Sequence, residues 1–497
     1  MKNTFFIYII VLVFSLSVKA QDVKTPIDTT VVTNHTTVIK GKTIPYKATV
    51  GFQPVWNTSG EPIASLSYTY YKRTDIKNDE NRPLLISFNG GPGSASVWMH
   101  IAYTGPRILK IDDEGFPVQP YGIKSNPNSV LDVADIVFVN PVNTGYSRMV
   151  PRKDGKMPEK KLFFGVNADV KYLASWINTF VTRNNRWRSP KYLIGESYGT
   201  TRVSGLALEL QNRQWMYLNG VILVSPTEIG FKFKGPVEVA NRLPYFAAAA
   251  WYHKMLPPEL QNKDLLDVLP EVEKYTINEL LPAIVKSGYL DASKKEEVIN
   301  KMAYYSGLSQ KTIQQHNLEI PKAYFWKDLL RDKQGFTIGR LDSRYKGMDI
   351  KEAGDNPDYN SELTSWLHAF TPAINYYYSQ ELKFKTDLKY NMFGPVRPWD
   401  RSDNRTGENL RNAMAMNANL HTMIQSGYYD GATTYFNAKY IMWQLNANGK
   451  LTDRLSFKGY RSGHMMYLRN EDLIKANDDI RAFITNSSTH INKGSKY

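Results

Sequence analysis

Short apolar segments that alternate with helical segments constrain the fold of this chain more than any other feature of its sequence. Four such segments lie at residues 83–88, 135–139, 192–194 and 220–224, and residues 166–183 carry apolar side chains at helical spacing. A strand that is apolar along its whole length is buried on both faces, as in a parallel sheet covered by helices. The pattern therefore predicts an α/β fold with a mostly parallel sheet.

The regions on either side of these strands have different patterns. Residues 42–71 alternate between apolar and polar side chains, which predicts an antiparallel meander, and residues 21–40 are expected to form a loose lead. The strand pattern fades over residues 232–398, where helical stretches predict a mostly helical insertion. Strands return near residues 422–429 and 455–457, before a final helix.

Residues 1–20 have the composition of a secretory signal peptide. Lys2 precedes an almost unbroken apolar run at residues 5–18, and Val18-Lys19-Ala20 offers small residues where a signal peptidase cleaves, which would leave Gln21 as the new N-terminus. A membrane anchor is the alternative, but the run is shorter than the ~20 residues that span a bilayer. We therefore expect export to the periplasm or the outside, without a stable membrane anchor.

The composition excludes several classes of protein. The chain has no cysteine, which excludes thiolate metal sites, cysteine nucleophiles and disulfides. Its formal net charge of +15 suggests contact with nucleic acid, but the basic residues are scattered, and the densest group, residues 153–161, also contains acidic side chains. We expect solvated surface charge, no nucleic-acid partner, and neither a cofactor nor a metal ion.

The motif Gly195-Glu-Ser-Tyr-Gly199 predicts a nucleophile. An apolar strand precedes it and a helical stretch at residues 201–213 follows, which is the strand–turn–helix arrangement that exposes a serine on a tight turn. An incidental serine in a glycine-rich turn is the alternative, because the motif alone is short. Its context predicts that Ser197 attacks an acyl group.

A second glycine-rich segment, Asn89-Gly-Gly-Pro-Gly-Ser94, directly follows the first buried strand. Consecutive glycines allow a backbone N–H to point into a cavity, as stabilisation of a tetrahedral oxyanion requires. We predict an oxyanion hole formed by the N–H groups of Gly91 and Tyr198, since one donor follows the nucleophile in such sites. Phosphate binding is the alternative, although neither a P-loop lysine motif nor the dinucleotide-binding glycine spacing is present.

The order serine, acid, histidine identifies the other catalytic side chains. Among eight histidines, His464 is the one in a glycine-containing loop between the last predicted strand and the final helix. Asp430 ends a strand and precedes a helix, whereas Asp453, the alternative acid, precedes a strand. We therefore predict that His464 takes and returns the serine proton, while Asp430 fixes the tautomer of the imidazole ring.

These features together predict an α/β-hydrolase fold, with a mixed, mostly parallel central sheet flanked by helices and a largely helical lid. The core would comprise residues 21–231 and 399–486, and the lid would comprise residues 232–398. Residues 487–497 are expected to form a polar tail.

Several blocks of the chain resemble the serine carboxypeptidases (peptidase family S10). The blocks match the family in order, at residues 89–94, 140–147, 195–199, 427–430 and 463–464. The resemblance covers roughly residues 45–486. Residues 243–254 are also similar to a segment of bacterial members, which favours the bacterial exported branch of the family.

The resemblance implies a carboxypeptidase that works best in acid and binds the terminal carboxylate of its substrate through Asn89, Gly90 and Glu196. Two carboxyl groups share such a contact only if one of them holds a proton, so activity is expected to rise at low pH. One departure lies near this pocket, because Ser87 stands where eukaryotic members usually carry tryptophan.

The sequence thus predicts a serine-type carboxypeptidase that acts on peptides with a free C-terminus. An esterase or acyltransferase would use the same triad and oxyanion hole, and an inactive binding homologue is a further alternative. The sequence leaves open the residue preference, the physiological peptide and the oligomeric state.

Overall fold

A computed structural model describes residues 25–77, 80–231 and 233–488. The predicted signal peptide and the part of the polar tail beyond residue 488 lie outside these residues. The strands are β1 (Thr29–Ile39), β2 (Lys42–Trp56), β3 (Pro62–Arg73), β4 (Leu84–Phe88), β5 (Arg107–Leu109), β6 (Ile123–Ser125), β7 (Asp135–Val139), β8 (Arg148–Met149), β9 (Lys191–Glu196), β10 (Gly220–Val224), β11 (Thr337–Ile338), β12 (Lys346–Gly347), β13 (His421–Gly427) and β14 (Leu455–Tyr460). The α-helices are α1 (Val97–Ala102), α2 (Val166–Arg183), α3 (Tyr198–Arg213), α4 (Pro236–Ala240), α5 (Leu243–Tyr252), α6 (Pro258–Gln261), α7 (Leu265–Tyr275), α8 (Leu281–Lys286), α9 (Ala292–Ser306), α10 (Gln310–Gln315), α11 (Lys322–Asp328), α12 (Arg331–Gln334), α13 (Ser361–Tyr376), α14 (Thr406–Met416), α15 (Tyr435–Leu445) and α16 (Asn470–Ser487).

The central sheet has the strand order β1-β2-β3-β7-β4-β9-β10-β13-β14, and β8 pairs with β3. Neighbouring strands from β7 to β14 are parallel, whereas the pairs β1–β2, β2–β3 and β3–β7 are antiparallel. The four strands β4, β7, β9 and β10 are buried along their whole length. The prediction of a mixed, mostly parallel sheet with flanking helices is confirmed.

Helices cover both faces of the sheet because successive residues of each buried strand point to opposite sides. In β4, Leu84 and Ile86 pack in the same apolar cluster as residues of α2 and α3, whereas Leu85 packs in the cluster that contains residues of α16. Burial of one such side chain contributes ~1.5–3 kcal/mol. The buried central strands therefore fix the positions at which the loops at their carboxyl ends begin.

Residues 29–39 form an edge strand, so the prediction of a loose lead is wrong for this part of residues 21–40. β1 pairs with β2 in antiparallel register along its whole length. Lys40 and Gly41 at the turn both have positive φ, 48° and 79°, as in a two-residue hairpin turn. The sequence does not indicate this strand because its alternation is irregular, with Val32 and Val38 exposed and Thr37 buried. Lysine also stands where such a turn usually has asparagine or glycine.

A largely helical region, from α4 to α13, lies between β10 and α14 in the chain. It has an apolar core of its own, in which the rings of Phe246 and Phe325 stack with centroids 4.0 Å apart. The limits of the predicted lid, residues 232 and 398, stay a prediction. Within the three described ranges, no helix is both long and apolar enough to cross a bilayer.

Candidate active site

Ser197 lies at the turn between β9 and α3. Its φ of 57° and ψ of −126° are unusual for a residue with a side chain, and they occur here where a strand turns directly into a helix. Its N–H donates to the carbonyl of Val224 at the end of β10, at 2.9 Å, which holds the turn against the sheet. Ser197 is partly exposed, whereas Glu196 and Tyr198 beside it are buried. The turn therefore presents the serine to the outside of the sheet.

Close packing explains the two glycines of the serine motif. A Cβ at Gly195 would lie 2.2 Å from the carbonyl oxygen of Gly199, and a Cβ at Gly199 would lie 2.7 Å from the carbonyl oxygen of Phe88 in β4. Both neighbours are backbone atoms, which cannot move aside. The spacing of the motif is thus a requirement of the turn at Ser197.

His464 and Asp430 form a direct hydrogen bond. Nδ1 of His464 lies 2.7 Å from Oδ2 of Asp430, and both side chains are buried. The hydroxyl of Thr433 lies 2.6 Å from the same carboxylate oxygen and 3.1 Å from Nδ1. The backbone N–H groups of Ala432 and Thr433 donate to Oδ1 of Asp430 at 2.8 and 2.9 Å. These contacts fix the carboxylate and the imidazole ring in the orientation that a general base requires.

Opposing effects set the pKa of His464. Burial lowers this pKa, but the negative charge of Asp430 and the hydrogen bond to it raise it, and the net pKa lies above the ordinary value of 6.5. Ionised Glu196 adds to the rise, and Arg340 opposes it. His464 is therefore a stronger base than a free imidazole.

The serine and the histidine face one cavity but are not joined by a hydrogen bond. Ser197 Oγ has no hydrogen-bond partner in the part of the chain that the structure describes. Both residues line a cavity of about 670 Å³. In unliganded sites the contact between nucleophile and base often tightens only when a substrate binds.

The loop of residues 89–94 after β4, called the glycine loop below, approaches the serine turn closely. A Cβ at Gly90 would lie 2.4 Å from the backbone nitrogen of Tyr198, so a larger residue does not fit there. Gly91 has a φ of 101°, which favours glycine. Among the described residues, the N–H groups of Gly91 and Tyr198 have no hydrogen-bond partner. Both groups are free to donate to an oxyanion.

Arg202 of α3 holds the glycine loop and is not one of the residues that line the cavity. Its guanidinium donates to the carbonyls of Asn89 at 2.6 Å and Pro92 at 2.5 Å, and its Nε donates to Asp169 at 2.6 Å. Arg202 and Asp169 are both buried. A buried ion pair thus fixes the position of the loop.

Contacts of the Gly90 carbonyl fix the orientation of the Gly91 N–H. This carbonyl accepts the N–H of Ser94 at 2.9 Å and also faces Arg202, at 3.5 Å. The N–H of Gly91 belongs to the same trans peptide as that carbonyl, so it points in the opposite direction. The Ser94 N–H, with a weaker contribution from Arg202, therefore keeps this candidate oxyanion donor pointing away from them.

Glu196 is buried directly beside Ser197. Its Oε2 accepts a hydrogen bond from Nδ2 of Asn89 at 3.0 Å and another from the hydroxyl of Tyr467. Burial raises the pKa of Glu196 to about 7, although the positive charge of His464 and these two hydrogen bonds lower it. Glu196 therefore takes up a proton near neutral pH and can then donate a hydrogen bond.

The amide of Asn89 has a fixed orientation. Its Oδ1 accepts the N–H of Met99 at 3.0 Å, which directs Nδ2 towards Glu196. Ser87, the departure noted in the sequence, is fully buried in β4 and does not line the cavity. Serine at this position therefore leaves the contact between Asn89 and Glu196 intact.

The cavity brings most of the predicted site residues together. Those that line it are Asn89, Gly90, Gly91, Glu196, Ser197 and His464. Asp430 is not a lining residue because it lies behind His464, and Tyr198 would contribute its backbone N–H alone. The volume suits a small ligand or the end of a chain.

A loop of the helical region, residues 339–345, is attached to the backbone around the histidine and the aspartate. The N–H of His464 donates to the carbonyl of Leu341 at 2.6 Å. The N–H of Ser343 donates to the carbonyl of Tyr429 at 3.0 Å. The helical region therefore packs directly on the candidate base.

The sequence does not indicate three residues of this site, Thr433, Tyr467 and Arg202. Thr433 and Tyr467 follow Asp430 and His464 by three positions, and nothing in that spacing marks them. Arg202 offers a weak indication, because it stands beside Val203 at an inward position of α3. A buried arginine needs a partner, which predicts an ion pair but not its position.

A mostly parallel sheet, a serine on a strand–helix turn and a histidine–aspartate pair after later strands define an α/β-hydrolase. A sequence profile described as serine carboxypeptidase matches residues 42–458. The chain therefore belongs to the serine carboxypeptidase family. The relation of residues 243–254 to bacterial members stays a prediction.

Individual relatives are distant. The chain is 28% identical over 184 residues to serine carboxypeptidase-like 36 of Arabidopsis thaliana, covering 35% of this chain and 35% of that protein. It is 29% identical over 146 residues to the human (Homo sapiens) retinoid-inducible serine carboxypeptidase, covering 29% of this chain and 28% of that protein. The matches thus span about a third of the length of these curated relatives.

A solved structure with the same fold is that of a prohormone-processing carboxypeptidase from Saccharomyces cerevisiae. Its TM-score is 0.52 at 14% sequence identity, covering 89% of this chain and 92% of that chain. At this identity the similarity supports the α/β-hydrolase fold and does not extend to substrate.

Proposed function

We propose that this protein is a serine carboxypeptidase that cleaves C-terminal peptide bonds through an acyl-enzyme. The buried contact between Asn89 and Glu196, on the same cavity as Ser197, carries this proposal. A protonated Glu196 and the amide of Asn89 can both donate to the terminal carboxylate of a peptide. A carboxylate bound there would bring the last peptide bond to the serine.

In the first half of the reaction, Ser197 Oγ attacks the carbonyl carbon of the last peptide bond, and His464 Nε2 takes the hydroxyl proton. The negative charge on the former carbonyl oxygen is stabilised by the N–H groups of Gly91 and Tyr198. The C–N bond then breaks, and His464 returns the proton to the departing amine. Asp430 stabilises the positively charged imidazole between the two transfers.

In the second half, water attacks the acyl-enzyme. His464 takes one proton of this water, and the oxyanion again forms at the same two N–H groups. The ester bond to Ser197 breaks, the serine regains its proton from His464, and the shortened peptide leaves. The same sequence of steps would hydrolyse an ester, so substrate recognition rather than the triad separates a carboxypeptidase from an esterase or acyltransferase.

The test is cleavage of blocked dipeptides across pH 4 to 8, compared with an ester of the same acyl group. Protonation of His464 affects both substrates, whereas protonation of Glu196 affects binding of the free carboxylate. The ratio of peptide to ester kcat/KM is therefore expected to rise as the pH falls through about 7, the pKa of Glu196. Ser197→Ala is the control and should abolish both activities.

Three outcomes would contradict the proposal. An undiminished rate on the C-terminal amide of the same dipeptide would reject carboxylate recognition. Hydrolysis of esters alone would keep the triad and favour the esterase or acyltransferase. Failure of a fluorophosphonate to label Ser197 would favour the inactive binding homologue.

We also propose that the protein is exported to the periplasm or the outside. The apolar run at residues 5–18 and the small residues before Gln21 support this proposal. N-terminal sequencing of the protein expressed with its first residues intact should give Gln21. A protein that keeps Met1 in the cytoplasm would refute export.

A further inference from the structure

Four basic side chains line the cavity, and Glu196 is the one carboxyl side chain among its lining residues. The basic residues are Lys160, Arg340, Arg397 and Arg401. All four are exposed to solvent, so their charges face the space that a substrate enters. Such an excess of one charge attracts ligands of the opposite charge.

These four side chains lack counter-ions. None of them makes an ion pair or a side-chain hydrogen bond within residues 25–77, 80–231 and 233–488. Arginines close to them in the chain differ, since Arg344 pairs with Asp342 at 2.7 Å and Arg405 pairs with Asp403 at 2.7 Å. The sequence therefore supplies carboxylates to neighbouring arginines and leaves the charges at the cavity free.

Nearby carboxyl groups do not neutralise them. Arg340 lowers the pKa of Glu362 and Arg401 lowers that of Glu228 electrostatically, but in both cases desolvation is the larger effect and raises the pKa. Neither glutamate hydrogen-bonds to these arginines, as far as the described residues go. The cavity keeps its positive charge.

The basic side chains come from three segments of the chain. Residues 394–401 carry two of them and are joined to the glycine loop by a hydrogen bond from the N–H of Gly394 to the carbonyl of Gly93 at 2.7 Å. The far end of this segment hydrogen-bonds to the turn that follows Lys160. The remaining basic residue, Arg340, lies on the 339–345 loop, which contacts His464. Separate contacts thus hold the charges around one site.

We propose that this cavity selects peptides with an acidic side chain in one of their last two residues. The inference rests on the proposed carboxypeptidase function. Asn89 and a protonated Glu196 would hold the terminal carboxylate without any positive charge, which leaves four cations for a second anionic group. Arginine stays charged throughout the pH range in which a glutamate side chain is ionised, so the attraction persists in acid.

The test compares blocked dipeptides that end in Ala-Glu and Ala-Gln, and a second pair that ends in Glu-Ala and Gln-Ala. Glutamine has nearly the same shape as glutamate, so the ratio of kcat/KM within a pair isolates the charge. We expect glutamate to be preferred about tenfold in at least one pair at low salt, the combined size of several partly solvated ion pairs. The preference should shrink at 0.5 M salt because exposed charges are screened.

Variants locate the effect. Arg340→Gln, Arg397→Gln, Arg401→Gln and Lys160→Gln should each reduce the glutamate preference about two- to threefold, as expected for one solvated pair. Lys450→Gln, at an exposed lysine that does not line the cavity, is the matched control and should leave the preference unchanged. Labelling by a fluorophosphonate confirms that each variant is folded.

The outcomes separate this inference from the function on which it rests. Cleavage of all four dipeptides with equal kcat/KM for glutamate and glutamine would overturn the acidic preference and keep the carboxypeptidase. Cleavage of an ester but of no dipeptide would overturn the carboxypeptidase. In that case, equal inhibition of ester hydrolysis by N-acetylglutamate and N-acetylglutamine would overturn the charge preference as well, whereas stronger inhibition by N-acetylglutamate would support it.

Discussion

Glu196 holds its carboxyl group away from water, next to Ser197, the candidate nucleophile. Its pKa in the folded protein is about 7, against an ordinary value of 4.5. The folded protein therefore keeps a proton that the unfolded chain releases between these two values. Stability falls as the pH rises from about 4.5 to 7, because the folded state binds more protons over that interval.

Replacing Glu196 by a residue that does not ionise should stabilise the protein above pH 7. Glu196→Gln is expected to raise the free energy of unfolding at pH 8 by up to ~3 kcal/mol, since each pH unit between the two pKa values is worth about 1.4 kcal/mol. At pH 4 the difference from the parent protein should be small. Urea unfolding at both pH values measures it, with the exposed Glu296→Gln as control. An equal gain at both pH values would assign the effect to packing instead.

The hydroxyl of Tyr467 donates to Glu196 and helps to keep that pKa from rising further. Tyr467→Phe should therefore raise the pKa of Glu196. The pH at which the peptide-to-ester ratio falls should move up by about one unit, the size of a lost hydrogen bond to a charged group.

The control for Tyr467→Phe is Tyr103→Phe. The two rings stack with centroids 4.5 Å apart, but the hydroxyl of Tyr103 donates to Gln425 and not to Glu196. A similar change in the pH profile of both variants would mean that ring packing, and not the hydrogen bond, sets the pKa.

At the scale of elements, α3 follows the turn at Ser197 and also contacts the glycine loop. Its Arg202 connects the helix to the glycine loop, so the two candidate oxyanion donors are held relative to each other by one buried side chain. Lysine keeps the positive charge but cannot reach both carbonyls and Asp169 at once. We therefore predict that Arg202 is a positioning residue for the candidate oxyanion hole.

Arg202→Lys should lower kcat ~10-fold or more with little change in KM, because a small displacement of an oxyanion donor has a large effect on rate. Rates are expressed per serine labelled by a fluorophosphonate, so loss of folded protein does not enter. Arg186→Lys is the control, since Arg186 is an equally buried arginine on Asp135 that does not line the cavity. An equal fall in kcat per labelled site for both variants would refute a specific role of Arg202.

Elements differ in how well their sequences indicate them. β4, β7, β9 and β10 each contain an uninterrupted apolar run of at least three residues, so burial on both faces is visible in each of them alone. β1 is about half exposed and mostly polar, and it is a strand because it pairs with β2. The stability that a strand gains from a pairing partner cannot be read from the residues of that strand alone.

At the scale of the whole molecule, the order of the parallel strands explains why motifs far apart in sequence predict one site. The glycine loop follows β4, Ser197 follows β9, Asp430 follows β13 and His464 follows β14. The carboxyl ends of parallel strands lie at the same edge of the sheet. Chain order and strand ends were therefore sufficient to nominate residues that the structure brings around a single cavity.

The remaining parts of the site depend on the path of the helical region and the late loops. Tyr467 reaches Glu196, and the four basic side chains reach the cavity, from positions that no motif marks. Hydrogen bonds between segments far apart in the chain hold these positions. A single sequence does not contain these contacts. The number of basic residues can be counted from the sequence, but the sequence does not show that four of them line one cavity.

The attachment of the 339–345 loop to His464 has a consequence for how this protein can change. The loop carries Arg340, and its backbone also holds the N–H of the candidate base. An insertion or deletion in the loop would therefore move the imidazole together with the pocket wall. Exchange of the side chain at position 340 leaves this backbone contact in place and acts on His464 only through the charge of Arg340, which lowers the pKa of the imidazole. Changes of substrate preference are therefore expected here by substitution rather than by a change of loop length.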